Sequence, residues 1–356
     1  VPGGAKEDDV RWDDVYVAGT GAHLPDRVEV VEDAIAAGRC TEQDRRTTGI
    51  RSVTVAAPDE TGPVMAAAAA RDAVDDAAGH GVSPVEIGLV LHAYVGHQGQ
   101  DVWTPANFVQ QESIGGDAPA AEVVQGSNGG LMALDLAASH LVARAGTAAL
   151  VTTGDAFHLP WFDRWATDRS QPHGDAGAAV VLSRRGGTAR LLSTASRSDP
   201  SLEVLMRGRC WTSGPFADGT TLDLAARQHE YLLSAPDLSF EEVGERIGRL
   251  AADVLDEALK DADAELADAR FVVHPTIARS VVQFSYYDGL GIDPATTTFE
   301  WGLGRGHLGA GDHLVGIDHV VRDLGPRPGD LLVAIGVGTG FVATAAVLRF
   351  TGEGAR

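Results

Sequence analysis

One hydroxyl in this chain sits where an acyl-transfer nucleophile would be built. The stretch Gln125-Gly126-Ser127-Asn128-Gly129-Gly130 lies between the strand-like residues 119–124 and the apolar run Leu131-Met132-Ala133-Leu134. A turn of small residues there places Ser127 at the junction of a buried strand and a buried helix. Backbone N–H groups at such a helix start can bind a developing negative charge, and the glycines let a substrate approach the main chain. A serine hydroxyl is a poor nucleophile without a base, so a histidine must come from elsewhere.

Two histidines answer that requirement. His274, in Phe271-Val272-Val273-His274-Pro275, stands where an apolar strand stops and a proline blocks immediate helix continuation. The carboxyl end of a strand opens onto the crevice where α/β proteins bind ligands. His307 lies in the small-residue loop Gly304-Arg305-Gly306-His307-Leu308-Gly309-Ala310-Gly311-Asp312. Asp312 either caps the next helix or holds His307 in the correct tautomer, and the two roles are compatible. Gly336-Val337-Gly338-Thr339-Gly340-Phe341 comes directly after a strand. Its spacing is not that of a dinucleotide fingerprint, and residues 342–348 beyond it read as strand rather than helix. A turn between adjacent strands fits better, with amides at Thr339 and Gly340 as oxyanion donors beside that of Ser127.

The elements that must carry these residues alternate. Strands are expected over 14–20, 87–93, 148–152 and 177–182, with helices over 64–78, 106–112 and 131–145. A second series has strands over 189–194, 269–273, 331–335 and 342–350, with helices over 240–261 and 311–323. The strands are short and lack a polar face, which indicates a sheet buried on both sides. Gly186-Gly187 marks the seam, giving an N-terminal half over 1–187 and a C-terminal half over 188–356. Residues 1–9 read as a disordered lead-in.

The bulk numbers exclude other classes. With 50 acidic against 28 basic residues the formal net charge is −22, which argues against nucleic acid as a partner. No apolar run is long enough for a membrane span and no secretory signal opens the chain, so the expectation is a cytoplasmic protein without membrane association. Cys40 and Cys210 give neither a disulfide framework nor metal-ligand spacing, and no metal is expected.

Together these pieces resemble the ketosynthase III branch of the thiolase superfamily. Residues 16–25 match its opening strand, Thr48-Gly49-Ile50-Arg51 its T-G-I-x-R element, and Gly174-Asp175-Ala176-Gly177-Ala178 its glycine-rich strand entry. His274-Pro275 falls at the catalytic histidine, Gly306-His307 at the glycine-asparagine element, and Gly336 to Phe341 at the terminal glycine loop. Two positions depart from the pattern. Ser127 stands where the family has cysteine, and His307 where it has asparagine. A helix dipole cannot ionise an alcohol by itself, so the added imidazole is what the exchanged nucleophile demands.

Serine with that second histidine is similar to the starter-unit priming proteins of anthracycline (daunorubicin/doxorubicin-type) type II polyketide synthases. The resemblance implies a five-layered αβαβα thiolase fold of two pseudo-repeated halves, assembled as a homodimer. It implies an enzyme with no bound cofactor that acylates Ser127 from a short acyl-CoA, propionyl-CoA foremost. Condensation with malonyl-acyl carrier protein would come next, with His274 and His307 stabilising the enolate and either one as base for the acylation. The partners would be the acyl carrier protein and other polyketide synthase subunits. A transferase that passes the acyl group to a carrier protein or an alcohol without decarboxylation is the main alternative. Coenzyme A contacts are assigned weakly to Arg45 and Arg46, and the acyl or pantetheine channel to Trp161 and Trp211.

Overall fold

A computed structural model describes residues 11–144, 146–208, 221–234 and 238–352. The strands are β1 (Tyr16–His23), β2 (Val28–Val30), β3 (Ser52–Thr54), β4 (Ile87–Ala93), β5 (Ala120–Val123), β6 (Ala148–Asp155), β7 (Ala176–Ser183), β8 (Ala189–Ser198), β9 (Ala269–Val273), β10 (Leu331–Gly338) and β11 (Val342–Phe350). Five helices frame them: α1 (Gly62–Ala78), α2 (Pro105–Ser113), α3 (Gly129–Arg144), α4 (Phe240–Asp261) and α5 (Asp312–Asp323).

Strand order gives the architecture. The nine-stranded sheet runs β5-β4-β6-β7-β1-β8-β11-β10-β9, with β2 and β3 forming a separate hairpin. Read outward from the β1–β8 junction, β1-β7-β6-β4 and β8-β11-β10-β9 repeat one winding. The junction pairs Tyr16 with Arg190 and Val17 with Ala189, and continues before β1 through Leu191 N–H to the Val15 carbonyl and Trp12 N–H to the Leu192 carbonyl, each 2.9 Å.

Alternation along the strands then fixes five layers. Leu89 and Leu91 face a central core with Leu131 and Leu134 of α3 and Leu314 and Ile317 of α5, and Leu332 and Leu348 close it from the other half. Val90, Leu150 and Val181 point the opposite way onto the alanines of α1. On the far side Val333, Ile335 and Val347 meet Leu250, Val254 and Leu255 of α4. Helix α4 starts at Ser239, whose hydroxyl accepts the Glu242 N–H, and its buried residues recur at helical spacing. No helix among the described residues is long and apolar enough to cross a membrane.

Several elements run past their expected ends, each for a tertiary reason. Strand β6 continues to Asp155 because Thr153, Gly154 and Asp155 still pair with β7. Strand β10 continues to Gly338 because its glycines pair with β11, Gly336 opposite Thr344 and Gly338 opposite Val342. Helix α3 starts two residues early: a Cβ on Gly130 would stand 2.7 Å from the Ala310 carbonyl oxygen, so close packing overrides poor helix propensity.

Such close approach also joins α1 to the sheet. A Cβ at Gly177 would lie 2.2 Å from the Met65 carbonyl carbon, whereas one at Gly244, on exposed α4 surface, meets nothing within 4 Å. We therefore expect Gly177→Ala to lower unfolding free energy by about 1–3 kcal/mol through overpacking. Gly244→Ala should raise it by roughly 0.5–1 kcal/mol, because a helical glycine loses more backbone entropy. Denaturant midpoints measure both, and a neutral Gly177→Ala would refute the packing argument.

Candidate active site

Ser127 lies in a short 3-10 turn, Gly126–Asn128, that runs directly into α3. Main chain packs on main chain here. Gly126 has φ +53, and a Cβ on it would meet the Thr339 hydroxyl oxygen at 2.4 Å. A Cβ on Gly338 would meet the Gln125 carbonyl oxygen at 2.1 Å. The Gln125 side-chain amide donates to the Thr339 carbonyl at 2.8 Å, tying the β10–β11 turn to the serine turn. That contact sets Thr339 and Gly340 beside the Ser127 loop, and the hairpin leaves no helix for a dinucleotide motif.

Three of the sequence-selected side chains form one chain of hydrogen bonds. The Ser127 Oγ lies 2.6 Å from His307 Nε2 although the residues are 180 positions apart. His307 Nδ1 is bonded to Asp312 Oδ2. A carboxylate cannot donate, so Nδ1 carries the proton and Nε2 presents its lone pair to the serine hydroxyl. Asp312 is itself fixed by the Leu308 N–H at 3.1 Å and the Thr276 N–H at 3.2 Å. Its side chain therefore orients His307 and does not cap α5, whose N-cap is Gly311. Backbone bonds from His307 N to the Pro172 carbonyl and from Gly174 N to the His307 carbonyl, each 2.9 Å, hold His307 from both sides.

Electrostatics prepare this imidazole to accept a proton. Burial opposes the imidazolium, yet the charge and hydrogen bond of Asp312, with Asp168 and Asp155 behind them, hold the His307 pKa above the ordinary histidine value.

His274 has a different setting. It comes just after β9 and is buried, but its Nδ1 donates to the Pro275 carbonyl at 3.0 Å and its Nε2 has no partner. Its ring stacks on Tyr286 at 4.7 Å between centroids. Burial pushes its pKa down to about 4, so it stays neutral. A cavity of about 220 Å³ joins Ser127 and His307 to Ser170, Ile277, Tyr286 and Phe341, and His274 does not line it.

The weaker assignments lie elsewhere. Arg45 and Arg46 are exposed and share Glu42, at 2.8 and 3.2 Å. Trp161 packs on Phe162 and lines a separate cavity with His97, Gln98 and Pro160. Trp211 and Cys210 fall outside the described residues. Two further residues near His307 carry no motif of their own in the sequence. Asp155 ends β6, and His173 packs edge-on to His307 at 4.9 Å between centroids. Burial and the His307 charge push the His173 pKa well below the ordinary value. Its position just before the Gly174-Asp175 motif was the one available signal.

The chain and its fold are similar to those of known proteins. Residues 259–350 match the model of the C-terminal part of 3-oxoacyl-[acyl-carrier-protein] synthase III. The chain is 30% identical over 339 residues to the β-ketoacyl-[acyl-carrier-protein] synthase III of Rhizorhabdus wittichii, covering 94% of this chain and 98% of that protein. It is 31% identical over 343 residues to that of Sphingopyxis alaskensis, covering 93% and 97%. The structure superposes on ChlB3, an acyltransferase, with a TM-score of 0.87 at 33% identity, over 96% of this chain and 99% of that one.

The charge arrangement yields a direct check by ring-nitrogen NMR. His307 should titrate above the ordinary histidine range. In Asp312→Asn the lost counter-charge leaves burial dominant, so the imidazolium is destabilised and the pKa falls below that range. His274 should stay neutral until about pH 4 in both proteins. An unmoved His307 in the variant would break the assigned pairing.

Proposed function

Because this chain belongs to the β-ketoacyl-[acyl-carrier-protein] synthase III family, a class of acyltransferases, we propose that it works through an acyl-serine at Ser127. The observation that carries this reading is the 2.6 Å contact between Ser127 Oγ and Nε2 of His307. As Oγ attacks the thioester carbonyl carbon, its proton passes to Nε2 and the carbon–sulfur bond later breaks. The thiolate then takes the proton back from the imidazolium that Asp312 has stabilised. Amides of Ser127 and of the Thr339-Gly340 turn are assigned to the oxyanion. The apolar cavity beside Ser127 supports a short acyl group such as propionyl, carried by coenzyme A.

The second half-reaction has two readings. Decarboxylative condensation with malonyl-acyl carrier protein, the step that would prime an aromatic polyketide, needs an N–H donor at the enolate oxygen. Neutral His274 spends its only N–H on Pro275, and neutral His307 spends its own on Asp312. Simple transfer needs only a base for the incoming thiol or alcohol, which His307 provides. We therefore favour transfer to a carrier-protein thiol or a small-molecule alcohol. Condensation is favoured by the Asp312 carboxylate bonded to the His307 ring, whose charge raises the His307 pKa, because an imidazolium would offer the missing donor at Nε2. A homodimer and a role among polyketide synthase subunits follow from the family resemblance.

Incubation with propionyl-CoA should add one propionyl mass to the wild type and none to Ser127→Ala. In His307→Ala acylation should slow roughly 10²- to 10⁴-fold. No adduct in the wild type, or an undiminished one in Ser127→Ala, would reject the acyl-serine.

The two second steps have opposite pH signs. Transfer requires neutral His307 and fades as pH falls through its pKa; condensation requires the imidazolium and fades as pH rises through it. Carbon dioxide release that persists at high pH would exclude His307 as the enolate's donor.

A further inference from the structure

The nucleophile's base has a second carboxylate behind it that the proposed reaction has not used. Asp155 ends β6 with no exposed surface. Its Oδ1 accepts the N–H groups of Val95 at 2.8 Å and Gly96 at 2.7 Å, and its Oδ2 accepts that of Ala310 at 2.9 Å. Ala310 is three residues beyond His307 and two before Asp312. Gly309 presses on the carboxyl: with φ +61, a Cβ there would stand 2.3 Å from Oδ2. This side chain thus pins the turn that joins the base to its orienting acid, and pins it to the half of the molecule that carries Ser127.

We propose that Asp155 is a positioning residue for the acyl transfer, anchoring the His307–Asp312 loop and serving as a second counter-charge for the imidazolium that forms there. Asp175 shows the alternative way to bury a carboxylate, with the Arg164 guanidinium at 3.0 Å. Asp155 is instead held by backbone N–H dipoles, and the charge acting on it is that of His307. A proton arriving on His307 therefore meets attraction from the carboxylate across the turn as well as from the one bonded to its ring. Other groups face the same imidazole. Asp312 and His313 come from α5, Asp168 from the loop after β6, and His173 from the loop before β7. The Tyr94 hydroxyl group, just beyond β4, lies within the field of Asp155. Burial pushes the Asp155 carboxyl up to about 6 against its three N–H donors, so it is ionised at neutral pH and titrates within reach of experiment.

This inference rests on His307 as the base, and the test separates the two ideas. Single-turnover acylation by propionyl-CoA would be followed across pH in wild type, Asp155→Asn and Asp155→Glu. In Asp155→Asn the plateau should fall about 10- to 100-fold as the loop loses its anchor. Its acid limb should also move to lower pH, because the imidazolium has lost a counter-charge. Asp155→Glu keeps the charge and disturbs the fit, so the plateau should fall while the limb stays. An unmoved limb in folded Asp155→Asn, or an unchanged plateau, would overturn the proposal. Wild-type protein gives a reading that needs no variant: His307 ring shifts should show a second inflection near pH 6 from Asp155. A single inflection would count against the coupling even if neither variant folds. Absence of any acyl adduct on wild-type protein would instead fail the acyl-serine, leaving the NMR result to judge Asp155 alone.

Discussion

A hydrogen bond between Ser127 and His307 joins two loops 180 positions apart, and the packing of the central helices is the constraint that lets it form. Both loops lead into central helices, α3 and α5, that share one core between the two halves of the sheet. Side chains at the crossing would hold them apart. Small residues remove that obstacle: a Cβ on Gly129 would sit 3.2 Å from that of Ala310, and one on Gly130 closer still to the Ala310 carbonyl. Each glycine costs helix propensity of roughly 1 kcal/mol. A close approach of backbones offsets that cost by bringing a hydroxyl to an imidazole.

Burying the charges of this site is a heavier demand than burying its surface. A carboxylate taken out of water is strongly destabilised unless donors replace the lost solvent. Loop N–H groups do this for Asp312, from Leu308 and Thr276, and for Asp155, from Val95, Gly96 and Ala310. Irregular backbone is thus a structural requirement here, since strands and helices have already spent their N–H groups. The many surface ion pairs, such as Arg45 with Glu42, are solvated and add little to stability. The formal charge of −22 consequently says much about the surface and little about the reacting centre.

Local pattern made part of this legible. Strands β4, β9 and β11 and helix α4 were readable to the residue because continuous apolar runs or a clear helical stripe end at glycine, proline or charge. Ser127, His307 and Asp312 were readable because small-residue loops around polar side chains are rare in a core. Asp155 and His173 were not, since their roles depend on N–H groups and rings brought up from distant loops. Arg45 and Arg46 are cations close to Thr48-Gly49-Ile50-Arg51 in sequence, and the helix Glu42–Thr48 turns them onto its own Glu42.

The two histidines show how little separates a ring that attracts a proton from one that stays neutral. Both are buried beside tight loops, and both have one nitrogen engaged by an oxygen. At His274 that oxygen is a neutral carbonyl, the ring lies on Tyr286, and burial wins. At His307 it is a carboxylate, and the added charge outweighs the same burial. The proton on Nδ1 is common to both, so the difference lies only in what the opposite nitrogen can do. His307 attracts a proton because the Asp312 carboxylate is bonded to its ring, whereas at His274 burial prevails over a more distant Asp312. For a thiol nucleophile a helix start lowers the ionisation cost directly, and a ring of the His274 kind is compatible with it. An alcohol has no such route, and the acid behind the imidazole is therefore the feature on which a serine version of the site stands.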